Sequence, residues 1–296
     1  MKKIFVCLIC FLILTGCRSG SDYIEPESRI IVSAIGVDRL DENILLTAEY
    51  ININTTNNDD SYKIKIITGL GKNMQTAVSD LETKIDGKLM LSQCPILILN
   101  TNLDNVTLNN IYDYVLFEEN ISLSIRLVSS ESAYNLISAN KDNKPSGYQI
   151  MSLLRFSENS LGITKGDSLV KILNRELNDL YKIPFVEHNG TYQVSGCNYF
   201  KGGILGKLDL LEAQILYMLS EELLPCKISV GSDSVNFKKC KIKEENNILS
   251  VKVTLKNMEK INSFETFKNG FESAIVTVLN KFGYTKPLKL RIVGEA

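Results

Sequence analysis

The residue with the clearest chemical potential is Cys17, which follows two small residues, Thr15 and Gly16. Small side chains at these positions let a peptidase approach the backbone, so we expect cleavage between Gly16 and Cys17. A deprotonated thiol is a nucleophile, and here it can be alkylated by a diacylglycerol before the leader is removed. The spacing therefore predicts Cys17 as a lipidation site.

The residues before Cys17 have the layout of a cleavable export leader. Lys2 and Lys3 give a positive start, and residues 4–14 form a nearly uninterrupted apolar run. At about 1.5 Å per residue this run reaches roughly 16 Å, too short for a hydrocarbon core of about 30 Å. We therefore predict a signal peptide at residues 1–16. The alternatives are an ordinary signal peptide with an incidental cysteine and a buried N-terminal helix.

The segment after the leader, residues 17–28, is polar and contains Gly20 and Pro26, so it is predicted to be a tether. Two or more acyl chains on Cys17 would hold the following body firmly on the outer face of a membrane. The later apolar segments are short and interrupted by charged residues or Asn, so no transmembrane helix is expected.

The remaining chemistry-bearing residues form no recognisable catalytic or metal-binding pattern. His188 precedes an Asn-Gly turn signal, without a second histidine or a cysteine pair nearby, which favours an exposed turn over a metal ligand. Residues 202–207 resemble a phosphate loop but are one residue short and lack the hydroxyl that would hold magnesium, so a hairpin explains them better. Adjacent acidic residues such as Glu118 and Glu119 point apart. The sequence predicts no enzyme, no metal and no cofactor.

Four cysteines remain in the exported body: Cys94, Cys197, Cys226 and Cys240. Cys94 leads into an apolar run and is predicted to be a buried free thiol. Cys226 and Cys240 flank a predicted hairpin with its turn at residues 231–234, and this register places Cys226 opposite Lys239. A one-residue change of register would bring the two cysteines together, so a free and a bonded state both fit the sequence.

The charge balance of the chain limits which classes of binding partner are expected. The 296 residues are 44% hydrophobic and 23% charged, with a formal net charge of −1, as in ordinary globular proteins. Nucleic-acid binding requires a clustered basic excess, and none is visible along the chain. The densest basic group, Lys238-Lys239 with Lys241 and Lys243, is followed at once by two glutamates, which favours a solvated strand face over a basic patch.

The hydrophobic pattern predicts an α+β fold with mixed β-sheets and packed helices in two or three consecutive domains. Residues 29–187 show an α/β order, in which residues 29–37 and 44–54 form an antiparallel pair, with a break at residues 141–147 that is a candidate sub-boundary. Residues 188–296 are predicted to form an α+β domain, a four-to-six-stranded antiparallel sheet with long helices on one face. One helix begins at Asp209, which forms a capping-box pair with Glu212.

Four segments, taken in order, resemble the Ger(x)C family, the lipoprotein C subunits of spore-germination nutrient receptors. After the leader and Cys17 comes Ala-Ile-Gly-Val-Asp at residues 34–38, then Ile-Thr-Gly-Leu-Gly-Lys at residues 67–72 before an amphipathic helix. The fourth is Val-Ser-Gly-Cys-Asn-Tyr-Phe-Lys-Gly-Gly at residues 194–203, leading into the helix after Asp209.

The resemblance implies a subunit of a spore inner-membrane complex, lipid-anchored at the outer face. Its partners would be integral-membrane A- and B-type subunits that sense small nutrients, and its role would be assembly and signal transfer in germination. Two other interpretations fit the leader: a lipoprotein that captures a small solute for a transport system, and an envelope hydrolase.

Overall fold

Two β-sheets organise the computed structural model, which describes residues 29–53, 62–117, 121–122, 124–139, 144–163, 180–201 and 204–295. The predicted leader and tether at residues 1–28 lie outside these ranges. The α+β class predicted from the sequence is confirmed, because both sheets carry packed helices.

Within the described ranges, the first sheet has nine strands: β1 (Arg29–Leu40), β2 (Asn43–Ile53), β3 (Tyr62–Gly71), β4 (Lys88–Met90), β5 (Ile96–Asn100), β6 (Arg126–Ser130), β7 (Tyr181–His188), β8 (Tyr192–Lys201) and β9 (Ile204–Asp209). Their order is β3-β2-β1-β5-β6-β7-β8-β9, with β4 also paired to β1. Strands β1, β5, β6 and β7 run parallel, while the hairpins at both ends are antiparallel. The predicted pairing of β1 with β2 is confirmed.

Helices cover both faces of this sheet: α1 (Met74–Glu82), α2 (Asn105–Phe117), α3 (Ala133–Ser138) and α4 (Ser146–Ser160). Helices α1 and α2 pack in one apolar core with Ile35, Val37 and Leu97. Helices α3 and α4 pack in another with Ala34 and Ile98, which alternate with the first set along their strands. This alternation is the period-2 pattern of a strand buried on both faces.

The second sheet follows helix α5 (Leu210–Leu219) and consists of β10 (Cys226–Val230), β11 (Asp233–Glu245), β12 (Ile248–Lys256) and β13 (Leu288–Glu295). Helix α6 (Phe264–Lys281) packs on it through Phe267, Phe271 and Ile275. At the start of α5, Asp209 and Glu212 form the predicted capping box, with the Glu212 N–H donating to Asp209 Oδ1 at 2.8 Å.

The predicted all-antiparallel arrangement of this second sheet is wrong at its last strand. Strand β13 runs parallel to β12, with Val251 opposite Leu290. The physical reason is the connection, because α6 lies between the two strands in sequence and carries the chain back across the sheet, as in a βαβ crossover.

The predicted register of the β10–β11 hairpin is also wrong. Val230 lies opposite Asp233, so the turn has two residues and begins with Gly231 at φ +60°. Cys226 therefore faces Phe237, and Cys240 lies further along β11, beyond a β-bulge between Phe237 and Lys239. Both cysteines are free thiols.

The division into domains stays a prediction, and the strand pairing bears on its last boundary. Residues 187 and 188 are the end of β7, which pairs along its whole length with β8. The first sheet continues to Asp209. A boundary between residues 187 and 188 would therefore divide two strands that are hydrogen-bonded to each other. Strands β8 and β9 also share an apolar core with the second sheet, through Cys197, Tyr199 and Leu208.

Gly147 should be intolerant of a side chain, because a Cβ there would lie 1.7 Å from the carbonyl oxygen of Ser33. We expect Gly147→Ala to lower the free energy of unfolding by about 2–3 kcal/mol, as overpacking displaces α4 from β1. Urea denaturation would measure this. The matched control is Gly270→Ala in α6, where the new Cβ meets only the end of the Val230 side chain. Equal stability of the two variants would contradict the close packing of α4.

Candidate functional site

The predicted lipidation and cleavage residues, Cys17 and Gly16, lie outside the described residues, so their role stays a prediction. The described chain starts at Arg29 in β1, a strand with neighbours on both sides. Among the described helices, none combines the length and apolar composition needed to cross a bilayer.

Asp38, the last residue of the 34–38 motif, is buried and fastens helix α3 to β1. Its carboxylate accepts the backbone N–H of Ala133 at 2.9 Å, the N–H of Tyr134 at 2.7 Å and the Asn100 amide at 2.7 Å. The first N–H groups of a helix have no intrahelical acceptor and favour a negative charge. Asp38 therefore completes the start of α3 from a neighbouring strand.

Gly36 explains another part of the same motif. A Cβ at this position would lie 2.8 Å from the Ala133 Cβ and 3.0 Å from Ile137. The strand thus offers α3 a flat surface at Gly36 and a hydrogen-bond acceptor two residues later. Residues 34–38, the segment that resembles the family motif, thus form the surface on which α3 packs.

Glu49 in β2 plays the corresponding role for α4 and is fully buried. Its carboxylate accepts the Ser33 hydroxyl at 2.6 Å, the Ser146 N–H at 3.1 Å and the Gly147 N–H at 3.4 Å. A buried carboxylate is tolerated because these donors replace water. Sequence reasoning missed Glu49, and the available signal was an acidic residue inside the otherwise apolar and small run of β2.

A buried cation lies where the two sheets meet. Lys182 in β7 is 4% exposed, forms an ion pair with Glu222, and places its Nζ 4.5 Å from the centre of the Tyr217 ring. These contacts join the first sheet to the end of α5. Sequence reasoning missed this residue too, since its partners lie in a different part of the chain.

A cleft of about 340 Å³ lies where strands β6 and β7 end. The two strands meet through one residue pair in the described part, Ser129 with Phe185. The cleft is lined by residues that follow β6, by α3 and by the end of β7: Ser130, Glu131, Ser132, Asn135, Leu136, Ala139, Phe185, Glu187, His188 and Asn189. Crevices at the carboxyl ends of parallel strands are common ligand sites.

The polar groups around this cleft are engaged with one another. Lys207 places its Nζ 3.8 Å from the centre of the Phe185 ring and 3.2 Å from Glu131 Oε1. Glu187 accepts the Gln193 amide at 2.7 Å. The His188 ring meets Tyr192 edge to face at 4.9 Å, and no three metal-ligand side chains converge in the described ranges. The cleft could hold a small polar solute, but its geometry assigns no reaction.

The four cysteines of the body do not add a reactive site. Cys94 and Cys197 are almost fully buried, and burial raises the pKa of each thiol to about 12. The pKa values of Cys226 and Cys240 are raised to about 12 for the same reason. Because the thiolate is the reactive form, these thiols are inert at neutral pH. The prediction that Cys94 is a buried free thiol is confirmed.

Replacing Asp38 should destabilise the fold, because two backbone N–H groups and the Asn100 amide would lose their acceptor. We expect Asp38→Ala to lower the free energy of unfolding by about 3 kcal/mol and Asp38→Asn by less. Glu42→Ala, which removes an exposed carboxylate from the β1–β2 turn, is the matched control and should change stability by under about 0.5 kcal/mol. Unfolding midpoints that coincide for Asp38→Ala and Glu42→Ala would rule out the anchoring role.

Comparison with known proteins places the chain in a family. A family model described as the spore germination protein N-terminal domain matches residues 22–186, which is more than half of the chain. A search of curated proteins found no match. One solved structure, titled "Crystal Structure of the GerBC protein", is similar with a TM-score of 0.47 and 15% identity, covering 88% of this chain and 96% of that one. On the strength of the family model, the chain belongs to the Ger(x)C family of spore germination proteins.

Proposed function

We propose that the chain is the lipid-anchored C subunit of a spore inner-membrane nutrient germinant receptor. The observation that carries the proposal is the family match over residues 22–186, which begins a few residues after the predicted leader (residues 1–16) and Cys17. The acylated Cys17 would hold the body at the outer face of the membrane, and the polar residues up to 28 would act as the tether.

The role proposed for this subunit is assembly with integral-membrane A- and B-type subunits and transfer of their signal. An anchored body loses most of its translational freedom, so weak contacts with membrane partners act at a high effective concentration. The rigid fastening of α3 and α4 to the sheet through Asp38 and Glu49 supports such a role, because a firm scaffold can pass a displacement between partners.

Purification from spore membranes in mild detergent tests the proposal. We expect mass spectrometry of the mature amino terminus to find an acyl-modified Cys17, and two polytopic subunits to be recovered with the chain. Cys17→Ala should leave the leader attached and reduce recovery of the partners severalfold, because the local concentration is lost.

Cys240→Ala is the matched control, since it removes a half-buried free thiol in the second sheet and should leave acylation and partner recovery unchanged. An unmodified Cys17 in the wild-type chain would disprove the anchor. Recovery of the acylated chain without a polytopic partner would disprove the receptor role.

A second candidate function is capture of a small solute for a transport system, which the cleft between β6 and β7 favours. Isothermal titration of the purified chain with amino acids separates the two functions. The receptor proposal predicts no saturable heat from the chain alone, because the nutrient would be sensed by its partners. Saturable binding that is lost when Glu187→Ala alters the cleft, but kept in Glu42→Ala, would instead establish solute capture.

A further inference from the structure

The second sheet has one covered face and one open face. Leu249, Val251, Val253 and Leu255 of β12 point into the core with α6, and the intervening residues point away from it. The open side carries eight exposed cations, which we call the basic face: Lys227, Lys239, Lys241, Lys243, Lys252, Lys256, Lys289 and Arg291.

Strand pairing concentrates these cations into rows. Lys241 lies directly opposite Lys252, which in turn lies opposite Arg291. Because neighbouring strands are about 4.8 Å apart, three positive charges fall within roughly 10 Å. Like charges that face each other across strands destabilise a sheet, so folding alone gives no reason for this row.

Few acidic groups offset the basic face. Lys243 approaches Glu245 at 4.0 Å, with both side chains largely exposed, and the strand register places Glu295 opposite Lys256. Eight cations against two carboxylates give this face a formal charge of +6, in a chain whose total is −1. The solvated-face interpretation of Lys238, Lys239, Lys241 and Lys243 missed this excess, because β12 and β13 add cations that lie far away in sequence.

The composition of the basic face indicates which kind of anion it meets. Its other positions include the small polar residues Ser229, Ser250 and Thr254 and two separate aliphatic residues, Ile248 and Val293, and no aromatic residue lies on the outward positions of the described strands. Protein interfaces are depleted in Lys and are centred on aromatic or apolar anchors, and single-stranded nucleic acid is bound by stacking on aromatic rings. Clustered Lys and Arg without such anchors are typical of surfaces that meet anionic lipid headgroups.

We propose that the basic face binds the anionic phospholipid surface of a bilayer. The contact deepens the proposed function, since the acyl anchor would bring this face within reach of the membrane, but it does not depend on the anchor. A tether over residues 17–28 spans at most about 40 Å when extended. With the basic face on the membrane, the chain would be held at two places, by acyl chains at one end and by headgroup contacts at the second sheet.

Vesicle cosedimentation of the full chain carrying Cys17→Ser, which cannot be acylated through that residue, tests this contact. The vesicles are phosphatidylcholine with or without phosphatidylglycerol. The apolar leader contributes to binding on both kinds of vesicle, so the difference between them reports the electrostatic contribution. In this background we expect K241Q/K252Q/R291Q to lower the partition coefficient on phosphatidylglycerol vesicles by about 100-fold, at roughly fivefold per charge. The loss should shrink between about 50 mM and about 300 mM salt, as screening shortens the reach of the charges.

The matched control is K63Q/K65Q/K72Q, which removes the same net charge from exposed positions on and beside β3. This control should bind phosphatidylglycerol vesicles within about twofold of its parent. Equal losses of vesicle binding in the two triple variants would overturn the proposal. Binding that is the same with and without phosphatidylglycerol would also overturn it, and an acidic protein would then be the expected partner of the basic face. Circular dichroism confirms that each variant is folded. Acylation of Cys17 and recovery of partners are measured separately, so failure here is distinguishable from failure of the receptor role.

Discussion

The fold depends on buried carboxylates in strands that accept the first N–H groups of helices. Asp38 in β1 holds α3 and Glu49 in β2 holds α4, across 95 and 97 residues of sequence. A carboxylate buried without donors would be strongly unfavourable, and a helix start without acceptors would be too, so each group makes the other tolerable. This mutual requirement fixes where two helices lie on the sheet and makes that face a rigid scaffold.

The two sheets form a connected body around that scaffold. Strands β8 and β9 belong to the first sheet by hydrogen bonding, yet Cys197 and Leu208 pack in the core of the second. The Lys182–Glu222 pair adds a polar contact at the same junction. By contrast, β6 and β7 meet through one described residue pair, and the cleft opens there. The end of α4 reaches the junction of the two sheets, where Ile163 is buried in the second core and the Leu224 N–H donates to the Gly162 carbonyl at 3.2 Å. The first sheet is thus linked to the second both through the β7–β9 unit and through the residues that follow α4.

Local signals predicted local structure well. Alternation and turn residues predicted the β1–β2 pair, and the Asp209–Glu212 capping box marked the start of α5 because both partners lie within four residues. Features set by distant residues could not be predicted in this way. The roles of Asp38 and Glu49 depend on helices that lie far along the chain, and the direction of β13 depends on how α6 crosses the sheet. The basic face is hidden for the same reason, since Lys241, Lys252 and Arg291 become neighbours only when three strands pair.

The segregation of cations on one side of the second sheet changes how bulk properties of the chain should be interpreted. An isoelectric point of about 6.0 describes a slightly acidic molecule, and this average represents neither side of its surface. A protein whose positive charges are concentrated on one side has an electric dipole, and an electric field exerts a torque on that dipole. The torque orients the protein even when its net charge is close to zero. Near any charged boundary its orientation is therefore selected first, and its overall charge matters second.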